Sequence, residues 1–134
     1  MAVIHLDDSV LSTLRDVIED EYPTLLEVFL KDSDERILAL HQWVGPHADP
    51  PSSGQSDSLD LKSLGMTAHS FKGSSSNMGA VQLADLCRQL EELARSAEPV
   101  RPLSLLQLTQ QIDHEYQLVR GLFDAELQLF PVRH

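Results

Sequence analysis

Leucine and other apolar residues recur at steps of three and four along most of this chain, a spacing that confines it to helices burying one face each. A short first segment carries Val10, Leu11, Leu14, Val17 and Ile18, with Asp7, Asp8 and Ser9 as candidate N-caps. Asp20-Glu21-Tyr22-Pro23 then breaks and restarts the chain, Pro23 being suited to a first helical turn. A long second helix is expected to about Val44, its stripe formed by Leu25, Leu26, Phe29, Leu30, Ile37, Leu40, Trp43 and Val44. Ser33 is small enough to sit inside that stripe, and Arg36 is expected at an exposed edge. Two further helices are expected over about Leu59 to Met78 and Ala80 to Ser96. Beyond the break at 98–102 a last helix is expected over about Leu103 to Phe130, with Leu105, Leu108, Ile112, Val119, Leu122, Phe123, Leu127 and Phe130 on one side. Alternating runs of Val, Ile and Thr, the mark of strands, are missing. The predicted fold is all-α: an antiparallel up-down four-helix bundle with an extra short N-terminal helix as a cap.

A length of 134 residues suits one domain, with a helical core over about residues 8–130. The stretch GPHADPPSSGQSD, residues 45–57, reads as a flexible loop within that domain, since either side alone is too small for a core. A net charge of −11 repels phosphate backbones and anionic lipid, which argues against nucleic-acid and membrane-surface binding. The single Cys87 excludes an internal disulfide and fits a reducing compartment. The opening MAVIHLDD lacks the basic and apolar regions of a signal peptide, and no stretch approaches the ~18 apolar residues of a membrane span. A cytoplasmic location is expected, and a monomer is the working expectation for an oligomeric state that the sequence leaves open.

One segment does not read as ordinary core. HSFKGSSSNMGA, residues 69–80, holds Gly73 and the three consecutive serines Ser74, Ser75 and Ser76, each costly inside a helix. Yet Leu61, Leu64, Ala68, Phe71, Ser75 and Met78 carry the helical stripe straight through it. At ~100° per residue His69 lies roughly 120° from the centre of that stripe, on a flank with Lys62, Met66, Lys72, Gly73 and Ser76. Gly73, one turn later, leaves the space beside the imidazole empty. Lys62 and Lys72 are two of only three lysines in the chain, an enrichment that suits a doubly charged phosphoryl group. Met78-Gly79-Ala80 reads as the turn of a helix hairpin, and equal spacing from that turn sets Glu91 opposite His69. A carboxylate there can accept the Nδ1–H bond and leave the Nε2 lone pair pointing outward.

These residues resemble the signature of histidine-containing phosphotransfer (HPt) domains: His, any residue, apolar, Lys, Gly, two small residues, two variable ones, apolar, Gly. Leu83 to Glu91 is similar to the family's following helix, and Leu25 to Asp32 to its second helix; the likeness covers about residues 20–97. The resemblance implies a four-helix bundle that presents its histidine outside the core and passes phosphate between receiver-domain aspartates. Carried over by position, it implies His69 as phosphoacceptor, Lys72 as phosphate-neutralising neighbour, Gly73 as the access residue and Glu91 as imidazole orienter. Lys62, Met66, Ser76 and Arg88 would form the docking surface for receiver domains of hybrid sensor kinases and response regulators. It implies no cofactor on this chain, with Mg²⁺ on the receiver partner, and no turnover by the module alone. The loop before the histidine helix is longer than usual in the family. No ATP-binding or receiver segment is seen, so a free-standing phosphorelay carrier is expected.

Three other readings compete. A phosphate-binding nucleotide loop fails because Lys precedes Gly, within a helix and with no strand before it. A metal-binding bundle needs inward Glu-x-x-His pairs, which are absent, and His5, His41, His47, His114 and His134 lack ligand spacing. The remaining alternative is a helical adaptor that docks a partner and never carries phosphate. It gives no reason for His69, Gly73 and Glu91 to occur in this arrangement.

Overall fold

The computed structural model describes residues 5–48, 61–96 and 102–129. Five α-helices follow one another: α1 (Asp8–Ile18), α2 (Tyr22–Ala48), α3 (Leu61–Asn77), α4 (Val81–Arg95) and α5 (Pro102–Leu127). A 3₁₀ turn, Glu19–Glu21, joins α1 to α2. No strand occurs among the described residues. The long helices run antiparallel in chain order. Tyr22 meets Glu126, Asp34 meets Arg120, and His41 meets Asp113, so α2 and α5 run in opposite directions. Arg36 meets Ser74 and His69 meets Glu91, which sets α3 against both α2 and α4.

The expected stripes close the core. Leu26, Leu30, Leu40 and Val44 of α2, Leu64, Ala68 and Phe71 of α3, Leu83 and Leu90 of α4, and Leu105, Ile112 and Val119 of α5 are buried. Phe29 packs edge-on against Phe123 at 5.5 Å between ring centres, and Phe71 against Tyr116 at 6.1 Å, which ties α5 to α2 and to α3. Ser33 and Ser75 lie fully inside the stripe, as their size allows.

The turn between α3 and α4 has a local cause. Gly79 adopts φ +74°, and the Ala80 N–H reaches back to Ser75 O while the Gly79 N–H reaches Ser76 O. This pair of bonds closes the carbonyl end of α3 around a left-handed residue, where glycine has no Cβ penalty. The same turn receives the N-terminal segment: the Asp7 N–H donates to Gly79 O at 2.7 Å. Asp7 then caps α1 by accepting from the Ser9 N–H.

Several sequence expectations are corrected. Helix α2 runs through Gly45 and Pro46 to Ala48, four residues into the expected loop. Buried Leu40 and Val44 anchor its end, and packing of an apolar face carries helical geometry past the last core residue more effectively than local propensity stops it. The rest of that loop lies outside the described residues, as does Phe130. Val17 and Leu122 face solvent instead of the core, because Ile18 and Phe123 beside them take the inward positions. Arg36 is half-buried and bonds Ser74 across the α2–α3 seam.

Candidate functional site

Helix α3 buries Leu64, Ala68, Phe71 and Ser75, and the residues on its opposite arc are thereby left at the surface. His69 belongs to that arc, with a side chain 58% exposed. Lys62, Met66, Gly73 and Ser76 share it and are all exposed. A Cβ built on Gly73 meets nothing within 4 Å, so the approach past the imidazole is open.

The α3–α4 hairpin brings Glu91 to the histidine. His69 Nδ1 lies 2.9 Å from Glu91 Oε2. An ionised carboxylate only accepts, so in the neutral imidazole the proton sits on Nδ1 and the Nε2 lone pair is free. Glu91 is buried at 6% exposure, deeper than the flank position expected from the sequence. Two cations accompany it: Lys72 Nζ donates to Oε1 at 2.8 Å, and Arg95 Nη1 stands 2.9 Å from Oε2. The Lys72 hydrogen bond leads the effects that hold the Glu91 carboxyl below the usual carboxylate range; burial opposes, and the His69 bond and Arg95 charge add to the lowering.

Sequence reasoning thus named His69, Lys72, Gly73 and Glu91, and the hairpin brings three of their side chains into one bonded cluster. It did not name Arg95, nor the contact between Lys72 and Glu91. The signal for Arg95 was present, since it follows Glu91 by four positions on the same helix face. The expected docking residues scatter around this cluster. Met66 is 57% exposed and lines a cleft between α2 and α3 with Asp32, Glu35 and Arg36. Arg88 lies on the α4 side, paired with Asp85 and Glu92, in a second cleft that includes Lys72, Gly73 and Ser76.

The remaining described histidines are placed otherwise. His5 pairs with Glu115 and His41 with Asp113, while His114 is exposed. No group of three or more His, Cys, Asp or Glu side chains suited to a metal occurs among the described residues. No helix there is long and apolar enough to cross a membrane. Cys87 is buried, and that burial pushes its thiol up to about 12.

The Hpt domain family model matches residues 24–121. The crystal structure of histidine-containing phosphotransfer protein B (HptB) from Pseudomonas aeruginosa PAO1 is similar over 97% of this chain and 100% of that chain, at 42% identity and a TM-score of 0.79. None of the curated proteins matches this chain.

Proposed function

The chain belongs to the Hpt domain family, whose members transfer phosphoryl groups through histidine in two-component signalling, and from that premise we propose that His69 is its phosphoacceptor. The observation that carries this reading is the exposed His69 ring held by Glu91 through Nδ1, with open space at Gly73 one turn later.

The donor is an aspartyl phosphate on a receiver domain. The neutral Nε2 lone pair attacks phosphorus, the N–P bond forms, and the aspartate carboxylate leaves with the electron pair of the broken P–O bond. The Nδ1 proton stays between the ring and Glu91, so the phosphorylated ring is cationic where it faces a carboxylate. Reversal against a second receiver returns the ring to its starting state. Mg²⁺ and the acid residues for both steps belong to the receivers. This chain supplies the nucleophile and a docking face around it, contributed by Lys62, Met66, Ser76 and Arg88, and does not turn over alone. Lys72, drawn to Glu91 in the free protein, lies on the flank where phosphoryl charge arrives and would neutralise it.

Incubation with a phosphorylated receiver domain tests the reading. Wild-type protein should take up an acid-labile, base-stable label, and His69→Gln should take up none. Equal labelling of His69→Gln would overturn the assignment.

A further inference from the structure

We propose that Arg95 is a positioning residue that offsets the charge of Glu91, so that this carboxylate aims His69 without protonating it; the consequence for transfer rests on the phosphoacceptor reading above. A bare carboxylate at hydrogen-bonding distance favours imidazolium. Imidazolium has no lone pair at Nε2 and cannot attack phosphorus. Glu91 is buried between α3 and α4 and stands 2.9 Å from the ring, so its charge bears directly on Nδ1. Its charge is met twice. Lys72 takes Oε1, and Arg95 takes Oε2, the same oxygen that accepts from His69. Oε2 remains an acceptor for Nδ1–H, but the site as a whole holds two cations to one anion and gains nothing from a third positive charge on the ring.

The backbone provides for this placement. A Cβ on Gly65, one turn before His69, would lie 3.5 Å from Ala94 Cβ and 3.7 Å from both Cγ and Nε of Arg95. The arginine stem therefore crosses α3 where that helix has no side chain, and its guanidinium, permanently charged, arrives at Glu91. Other charges near the ring are engaged elsewhere or stand apart. Arg88 of α4 is held by Asp85 and Glu92. Asp32, Glu35 and Arg36 of α2 line the cleft with Met66 and Ser70, on the other side of α3 from Glu91, and Lys62 shares the exposed arc of α3.

Titration of the His69 ring, followed through its imidazole nitrogens by NMR of the intact protein, tests this without any phosphoryl transfer. In Arg95→Met the midpoint should rise by about half a unit or more, because one compensating cation is gone. Arg95→Lys should stay close to wild type. In a Glu91→Gln background, Arg95→Met should move the midpoint by only a small part of that amount. In parallel, the acid limb of transfer from a phosphorylated receiver should move upward in Arg95→Met, with the rate recovered at higher pH. Arg95 is 58% exposed, so its replacement leaves the bundle core untouched. An unchanged midpoint in Arg95→Met overturns the proposal, as does a shift of equal size in the Glu91→Gln background. Slower transfer at every pH with an unmoved midpoint also overturns it, and leaves His69 as acceptor intact. Labelling of His69→Gln would sink the acceptor reading alone, since the titration is independent of it.

Discussion

At the residue scale, two glycines on one helix serve different needs. Gly65 is buried against Ala94 and Arg95, whereas a side chain at Gly73 would meet open space. Gly73 is therefore a stability cost with no packing return inside this chain. Gly73→Ala should raise stability by up to about 1 kcal/mol in urea denaturation, from helix propensity alone. The same substitution should slow labelling by a phosphorylated receiver, because the added methyl stands one turn from the imidazole. Unchanged labelling would show that clearance at this position is irrelevant. Glu91 separates orientation from charge in a similar way. Glu91→Leu should lower transfer about ten- to a hundredfold, since the ring loses its acceptor and two cations lose their anion. Glu91→Gln keeps an acceptor oxygen and should lose much less.

At the scale of the element, the α3–α4 hairpin is the device that registers Glu91 against His69, and its turn depends on Gly79. A Cβ there would sit 3.0 Å from Asp7 O and 3.1 Å from Val10 Cβ, on a backbone at φ +74°. Gly79→Ala should destabilise the protein by about 1–2 kcal/mol, measured by thermal or urea unfolding, with protection from hydrogen exchange lost first at α1 and the turn. The start of α1 adds a pH dependence. Hydrogen bonds from the Ser9 side chain and backbone hold the Asp7 carboxyl below its ordinary value of 3.8. A carboxyl depressed in the folded state stabilises it above the unfolded value, and that contribution disappears as pH falls through the folded one. Protection factors at the first turn of α1 should therefore fall below about pH 4, before those of the core helices respond.

At the scale of the whole molecule, a polar seam runs the length of the α2–α5 contact. Arg15 and Tyr22 meet Glu126 at one end, Asp34 meets Tyr116 and Arg120 midway, and His41 meets Asp113 farther along. Tyr116 is its buried anchor, donating toward Leu30 O and Asp34. Burial is the largest of the effects that push its phenol, and that of Tyr22, above the ordinary range near 10. A phenol raised in the folded state contributes stability below the unfolded value and loses it as pH climbs above. The protein should therefore weaken above about pH 10, with Tyr116→Phe showing less of that alkaline loss. At neutral pH Tyr116→Phe should cost about 1–2 kcal/mol by urea denaturation, for the hydroxyl's lost hydrogen bonds. A smaller alkaline response from wild type than from Tyr116→Phe would contradict the role given to this phenol.

Periodicity alone determined the helices, the stripe from Leu64 to Met78 and the exposed arc bearing His69, because a side chain's direction around a helix follows from its position in the chain. Spacing from the Met78-Gly79-Ala80 turn even paired His69 with Glu91, since an antiparallel hairpin is nearly one-dimensional. What lay beyond such counting was depth, charge balance and the ends of elements. Glu91 is buried in the α3–α4 contact, with Lys72 and Arg95 on its two oxygens, and α2 outlasts its predicted end because Val44 is packed. Tyr116 and Asp34 find each other across 82 residues. These are contacts between elements, set by how close two helices approach and which side chains compete for one oxygen. A single chain's pattern carries no term for either, so only the assembled bundle decided them.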